Sequence, residues 1–158
     1  MGLEIVRAAI PRDIEILKEL DICIFKGADV CDEDTWFLCD NYILYANGLP
    51  SGSTSLLPDH CDDSGVRGVF PKEPGTLYIV STGVLSRCQG MGLGLLFKTF
   101  HMSYAKMGGF RKVLTCARVS NVPIINLNKK FGFLPIGVVP AYYKDPEEDR
   151  IVLQYTAH

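Results

Sequence analysis

The stretch QGMGLG, residues 89–94, places three glycines at alternate positions and decides how the rest of the chain is interpreted. Residues 76–85, TLYIVSTGVL, precede it with the continuous β-branched and apolar content of a central strand buried on both faces. Residues 95–107, LLFKTFHMSYAKM, follow it with Leu96, Phe97, Phe100 and Tyr104 at helical spacing. We therefore predict a strand that ends near residue 84, a glycine loop, and a helix that begins near residue 93.

A glycine loop at such a junction is suited to a phosphate. The first amides of a helix have no intrahelical acceptor and lie at the positive end of the helix dipole, so they can donate to an anion. A dinucleotide fingerprint is disfavoured: the third glycine falls one residue early, and Cys116-Ala117-Arg118 stands where an acidic residue should hold ribose. A P-loop is disfavoured because Phe97 precedes Lys98-Thr99 in place of glycine. Neither of these two motifs accounts for the glycines.

The rest of the chain alternates strands and helices. Residues 3–9 alternate like an edge strand, and Pro11 is expected in the first turn of the helix that follows. Asn47-Gly48 is typical of a tight turn joining two strands, 41–46 and 51–57. The other predicted elements are a short helix at 33–40, strands at 110–119, 133–140 and 149–157, and a helix at 122–131, capped by Ser120 or Asn121 and ended by Gly132.

Residues 58–75 are rich in proline, glycine and aspartate and have no sustained period, which predicts a long loop that overhangs a site. The length of 158 residues and a hydrophobic content of 47% fit one domain spanning 1–158. The net charge of −2, with scattered basic residues, disfavours a nucleic-acid partner. Because the apolar runs are short and the first residues lack a signal-peptide layout, we expect no membrane partner and a cytoplasmic location.

The chain has six cysteines, which are Cys23, Cys31, Cys39, Cys61, Cys88 and Cys116. They include no CxxC pair, and their spacing matches no common zinc signature, although His60-Cys61 could supply two ligands to a site assembled in space. We predict no metal site, and free thiols of which several pack as small apolar residues.

Two motifs of this chain resemble those of the Gcn5-related N-acetyltransferases (GNAT) and follow one another in the same order along the sequence. Residues 89–94 fit the family's acyl-CoA loop, a Gln or Arg followed after two residues by Gly-x-Gly. Asn121, followed by Ile124, Leu127, Lys130 and Gly132-Phe133, is similar to the family's second signature. The N-terminal strand and helix are also similar, so the resemblance covers nearly the whole chain; the long loop at 58–75 departs from it. The resemblance implies an α/β (α+β) fold with a mixed, mostly antiparallel, splayed sheet flanked by helices on both faces.

The resemblance also implies acetyl-CoA as the cofactor and assigns residues to it. The backbone near Val84 would pair with the pantetheine arm, and Asn121 would contact the cofactor from another side. The pyrophosphate would lie on the loop, whose residues are Gln89, Gly90, Met91, Gly92, Leu93 and Gly94. A tight turn without a ligand is the alternative for the glycines, and a plain helix cap is the alternative for Asn121.

Further likeness to the N-terminal acetyltransferases implies catalytic and substrate-binding residues. Tyr78 occupies the position of an ionisable residue on the central strand, and Cys116 stands where some of those enzymes have a histidine. Tyr142 and Tyr143 resemble a Tyr-Tyr pair in the loop that binds the substrate's N-terminus, and Tyr142 is also a catalytic candidate. Asn128 replaces the tyrosine that usually protonates the leaving thiolate. The alternative for Tyr78, Cys116 and the tyrosine pair is packing in the core.

These residues predict an acetyl-CoA-dependent N-acetyltransferase in which a neutral amine attacks the thioester directly. The acceptor is either a protein or peptide N-terminus or a small-molecule amine. A non-catalytic acyl-CoA-binding domain is the alternative, suggested by Asn128, and a zinc module is a third. A homodimer is one option for assembly.

Overall fold

The computed structural model describes residues 2–25, 29–59 and 73–158. Predictions that fall on residues 60–72, including His60, Cys61 and most of the predicted long loop, lie outside the described residues. The strands are β1 Leu3–Arg7, β2 Asp40–Ala46, β3 Leu49–Pro58, β4 Thr76–Val84, β5 Lys112–Arg118, β6 Leu134–Lys144 and β7 Glu147–Thr156. The helices are α1 Ile14–Phe25, α2 Glu33–Leu38, α3 Leu93–Met107 and α4 Val122–Lys130, with a short 3-10 turn at Ser86–Cys88.

The strands form one seven-stranded sheet in the order β1-β2-β3-β4-β5-β7-β6. The pairs β1–β2, β2–β3, β5–β7 and β6–β7 are antiparallel, and β4 runs parallel to β5. The predicted α/β fold with a mixed, mostly antiparallel sheet is therefore confirmed, and β1 is an edge strand as expected. None of the helices in the described ranges is long and apolar enough to span a membrane.

Contacts divide the chain into two compact units, each built from two segments. The first unit comprises Met1–Leu56 and Val80–Phe97, and the second comprises Leu57–Ile79 and Lys98–His158. The single domain over residues 1–158 stays a prediction.

The first unit has a core made by α1, α2 and β2. Its buried side chains are Ala8, Ile14, Leu17, Leu20, Trp36 and Ile43. The predicted hairpin is confirmed, because Asn47 and Gly48 take φ values of 52° and 77°. One boundary is wrong: Pro11 lies in a turn before α1, where the Asp13 side chain accepts a hydrogen bond from the Ala9 amide at 2.7 Å.

In the second unit β5 is the central strand, with β4 parallel on one side and β7 antiparallel on the other. Leu77, Val113, Phe133 and Leu153 are fully buried there. Asp59 closes the base of the predicted long loop: its amide donates to the Thr76 carbonyl at 2.8 Å, and its carboxylate accepts from the Gly75 amide at 2.7 Å.

The expectation that β4 is buried throughout is only partly right. Its parallel register with β5 runs from Thr76 opposite Lys112 to Ile79 opposite Thr115. Thr76–Ile79 are buried, whereas Val80–Val84 are half-buried even though β4 is a central strand. The lower burial of Val80–Val84 matches the register, because this half of β4 extends beyond the residues that pair with β5.

The tyrosine pair is placed differently from the expected loop. Tyr142 and Tyr143 lie inside β6, which extends to Lys144, and Tyr143 pairs with Glu148 of β7. The register of β6 is irregular between Val139 and Tyr143, and Ala141 takes a φ of 49°. This irregularity re-aims the strand just before the two tyrosines.

Candidate active site

The glycine loop joins β4 to α3 at the predicted positions, since β4 ends at Val84 and α3 begins at Leu93. Gly90 and Gly92 take φ values of 77° and 78°, in the left-handed region that favours glycine. Gln89 and Met91 are exposed, and Leu93 is buried under the loop. The Leu96 amide donates to the Gly92 carbonyl at 3.0 Å, so α3 is hydrogen-bonded from the loop onward.

Both ends of the loop are anchored in a second buried cluster of the first unit. Leu44, Cys88, Leu93 and Phe97 form a buried cluster, against which Ile5, Val84 and Leu96 pack. Apolar packing on both sides of the loop therefore fixes the positions at which it begins and ends.

The loop fits a pyrophosphate by the space it leaves. A Cβ atom built on Gly90 or Gly92 meets nothing within 4 Å among the described residues. The glycines are therefore required by the backbone conformation, and the volume beside their amides stays open. The amides of residues 90–94, at the positive end of α3, can donate to an anion in that volume.

Asn121 is the N-cap residue of α4, but its side chain makes no capping hydrogen bond. The backbone contributes instead, because the Ile125 amide donates to the Asn121 carbonyl at 3.1 Å. The residue is exposed. The plain side-chain cap considered for Asn121 is therefore absent, and its amide group is available for a ligand.

Tyr78 is the centre of a polar cluster in the second unit. Its side chain is 1% exposed, and its hydroxyl lies 3.9 Å from the Sγ atom of Cys116 on β5. Arg150 of β7, itself 6% exposed, donates from Nη2 to the Tyr78 hydroxyl at 3.0 Å. The structure thus brings Tyr78 and Cys116 together and adds a buried guanidinium.

The tyrosine pair joins this cluster through Arg150. The guanidinium carbon of Arg150 lies 4.1 Å from the centre of the Tyr142 ring, and that of Arg118 lies 4.1 Å from the centre of the Tyr143 ring. The two tyrosine rings meet edge to face with centroids 5.1 Å apart. Each ring is therefore fixed by a cation and by its neighbour.

The hairpin that carries the tyrosines is fastened to the start of α4. Glu148 accepts from the Ser120 amide at 2.6 Å and from its hydroxyl at 2.8 Å, and Arg118 lies 3.5 Å away. These contacts, with the Ser120 amide contributing most, lower the pKa of Glu148. Arg118 also donates to the Pro146 carbonyl at 3.0 Å. The β6–β7 turn is thereby held in one position.

Asn128, in the place of the expected tyrosine, is buried in α4. Its Nδ2 atom donates to the Ile124 carbonyl at 2.9 Å, and its Oδ1 atom has no hydrogen-bond partner among the described residues. An amide has no acidic proton at neutral pH, so Asn128 cannot take the role of the tyrosine that protonates the thiolate in the family.

Sequence reasoning missed three buried basic residues. Arg150 lies two residues before Val152 on the same face of β7, so its burial could have been predicted from the alternation of the strand.

On α3, Lys98 and His101 are buried with Ala105, whereas Leu96, Phe100 and Tyr104 of the predicted apolar face are only half-buried. Burial lowers the pKa of Lys98 to about 7, and burial with the Lys98 charge lowers that of His101. The Lys98 Nζ atom lies 4.5 Å from the centre of the Phe133 ring.

The cysteines for which the structure gives a position are free thiols, and Cys88 packs in the core as expected. Burial raises the pKa of Cys31 and Cys39 to about 12, so both are protonated at neutral pH and ill suited to bind zinc. In the described part of the chain, His, Cys, Asp and Glu side chains form no group of three that could hold a metal ion.

Comparisons with known proteins place the chain among acetyltransferases. No protein-family model matches it. It is 35% identical over 153 residues to the "Probable N-acetyltransferase san" of Drosophila melanogaster, covering 92% of this chain and 77% of that protein. It is 36% identical over 72 residues, 45% of this chain and 43% of the other, to an "N-alpha-acetyltransferase" of Sulfurisphaera tokodaii.

The fold is that of a solved acetyltransferase. Arabidopsis thaliana Naa50 in complex with the bisubstrate analogue CoA-Ac-MVNAL superposes with a TM-score of 0.81 and 17% identity, over 99% of this chain and 100% of that chain. Because the relatives of 35% and 36% identity are named as N-acetyltransferases, acetyl-CoA is supported as the acetyl donor and the non-catalytic alternative loses its support. The match to the fruit-fly protein, which covers 92% of this chain, and the glycine loop agree: this chain belongs to the Gcn5-related N-acetyltransferases.

Proposed function

We propose that the chain transfers the acetyl group of acetyl-CoA to the α-amine of a protein or peptide N-terminus. The observation that carries the proposal is the continuous contact from the tyrosine pair through Arg150 to Tyr78. Two rings fixed at the end of the β6–β7 hairpin suit the first residues of a peptide, which needs both an apolar surface and hydrogen bonds. The names of the Sulfurisphaera relative and of the peptide analogue bound to Naa50 support the same class of acceptor.

The donor would be held by the glycine loop. The amides of Gly90 to Gly94 would bind the pyrophosphate, the backbone at Val84 the pantetheine arm, and Asn121 a further part of the cofactor. The donor supplies an acetyl thioester, which an amine can attack without an acyl-enzyme intermediate.

Tyr78 would be the general base. As the amine nitrogen forms its bond to the acetyl carbon, the nitrogen loses a proton to the Tyr78 oxygen, directly or through one water, and the carbon–sulfur bond breaks to release CoA as a thiolate that takes its proton from solvent. Cys116 would orient the hydroxyl through the 3.9 Å contact, and Tyr142 would act through Arg150.

The proposal is tested by acetyl transfer to matched peptides, with the product located by mass spectrometry. One set has a free N-terminus and no lysine, the second has a blocked N-terminus and one internal lysine, and a third set contains diamines and polyamines. We expect acetylation of the free N-terminus at a rate well above that of the other two sets, and above the rate of hydrolysis.

Tyr78→Phe serves as the control for enzyme-dependent transfer, because it removes the proposed base and keeps the ring. Acetyl groups found mainly on lysine or on small amines would overturn the assignment of the acceptor while leaving the donor loop untouched.

A further inference from the structure

The surroundings of Tyr78 explain how a phenol could act as a base near neutral pH. An ordinary tyrosine titrates at about 10 and is almost entirely protonated at pH 7, so it accepts protons poorly. The phenolate is the competent form. A base at this position therefore needs a group that favours the anion.

We propose that Arg150 is a positioning residue that holds Tyr78 as a phenolate, the form in which it accepts the proton of the acceptor amine. This inference rests on the base role assigned to Tyr78 in the proposed function. When the phenolate forms, the proton of the hydroxyl leaves to water and the guanidinium stays charged.

The direction of the hydrogen bond supports this role. A guanidinium has no acceptor, so at 3.0 Å the Nη2 atom of Arg150 donates and the Tyr78 oxygen accepts. A donated hydrogen bond and an adjacent positive charge both favour the anionic form of the phenol. Because both side chains are buried, water screens this charge weakly.

The structure places a thiol and a guanidinium against the Tyr78 oxygen, and the guanidinium is the closer of the two. From β5 the Cys116 thiol faces the hydroxyl at 3.9 Å, and from β7 Arg150 faces it at 3.0 Å. From β6 the phenol of Tyr142 lies against the guanidinium, whose carbon is 4.1 Å from the ring centre. The guanidinium therefore contacts both the Tyr142 ring and the Tyr78 oxygen.

The placement of Arg150 carries a cost that a purely structural residue would avoid. In the β5–β7 register Arg150 lies directly opposite Arg118, and like charges at such a position destabilise a sheet. Arg118 is drawn to Glu148 and Tyr143, which separates the roles of the two cations. Arg150 contacts Tyr78 and Tyr142.

A spectroscopic titration tests the inference without any acceptor. The tyrosinate absorbance of the wild-type protein minus that of Tyr78→Phe isolates the ionisation of Tyr78. We expect the midpoint pH of this ionisation to lie well below about 10. In the Arg150→Gln background, measured as Arg150→Gln minus the double variant Arg150→Gln/Tyr78→Phe, we expect the midpoint to lie about one pH unit or more higher. Equal midpoints in the two backgrounds would overturn the inference.

Kinetics supply the second test. In Arg150→Gln the acid limb of kcat/KM for the peptide acceptor should move to higher pH with the same midpoint as the absorbance, whereas Arg150→Lys should restore part of the shift. In the Tyr78→Phe background, Arg150→Gln should cause no further loss. A loss that is additive, or a pH profile that stays in place, would show that Arg150 acts only by packing.

Failure of the inference differs from failure of the proposed function. If Tyr78 titrates with the expected shift but no peptide is acetylated, the acceptor class is wrong and the role of Arg150 stands. If peptides are acetylated at the N-terminus but Tyr78 titrates normally, the acceptor class stands and the role of Arg150 is wrong. Thermal unfolding of Arg150→Gln, compared with wild type and with Arg150→Lys, which keeps the charge, separates either result from misfolding of the Gln variant.

Discussion

Tyr78 and Arg150 are separated by 72 residues, yet the Arg150 Nη2 atom lies 3.0 Å from the Tyr78 oxygen. The contact links β4 to β7, which are not neighbours in the sheet because β5 lies between them. A long side chain reaching across one strand therefore joins two candidate functional residues that no sequence motif connects.

Tyr78→Phe should lower kcat by about 100-fold or more and leave CoA affinity unchanged, because it removes a proton acceptor and no donor-loop atom. Loss of the hydroxyl also leaves the Arg150 donor without this acceptor, so we expect a lower free energy of unfolding by about 1–3 kcal/mol. Steady-state kinetics, calorimetry with CoA and denaturant unfolding measure the three quantities. A variant with wild-type kcat would exclude Tyr78 from catalysis.

Gly92→Glu should weaken CoA binding, since it puts a negative charge into the open volume beside the loop amides. Gly92→Gln is the matched control: it has the same shape and the same left-handed backbone strain, about 1–2 kcal/mol, without the charge. We expect the Glu variant to bind at least about tenfold more weakly than the Gln variant, with a gap that narrows as salt is added. Equal affinities by calorimetry would contradict the assignment of the pyrophosphate to this loop.

Lys98→Met should stabilise the protein most at low pH. Because burial lowers the pKa of Lys98 to about 7, the folded state binds fewer protons than the unfolded state between that pH and the ordinary pKa of lysine. Wild-type stability therefore rises with pH in this window, by up to about 1.4 kcal/mol per pH unit from this group. We expect Lys98→Met to gain on the order of 2 kcal/mol near pH 6 and to lose that advantage as pH rises.

Urea unfolding of both proteins from pH 6 to about pH 9 checks this, below the range in which the buried thiols ionise. Lys106→Met, at an exposed position of the same helix, is the control for the removal of a lysine from α3. A stability difference between Lys98→Met and wild type that is constant with pH would show that the amine does not titrate as expected.

Glu148→Gln should raise KM for the peptide acceptor several-fold without changing CoA affinity, because the carboxylate fastens the tyrosine-bearing hairpin to Ser120 and Arg118. The pKa of Glu148 is lowered in the folded protein, so its contribution is present above the ordinary carboxylate range and is lost as pH falls through the folded value. Wild-type KM should therefore approach that of the variant in acid. Glu147→Gln removes the neighbouring exposed carboxylate and should change KM for the peptide little. A similar rise of KM in both variants would indicate that the loss of a negative charge, and not the contacts of Glu148, weakens peptide binding.

Much of the fold could be predicted from local patterns. The strand, loop and helix around the glycines, the Asn47-Gly48 hairpin and the glycine stop at Gly132 depend on residues close in sequence, and the structure places them as predicted. The errors lie where tertiary contacts decide: Pro11 precedes its helix because Asp13 closes a turn, and Lys98 and His101 are buried in place of half-exposed aromatics.

The sequence by itself determined the glycine loop, because glycines with positive φ at a strand-to-helix junction are a local requirement that spacing reveals. It also identified Tyr78, Cys116, Tyr142 and Tyr143 as candidates, through their resemblance to a family. Only the tertiary structure decided how they are connected: Arg150 contacts both Tyr78 and Tyr142, because antiparallel pairing of β5 and β7 sets its register and β6 brings Tyr142 against it. The physical reason is that long-range register, unlike turn and helix preferences, is a property of the whole sheet.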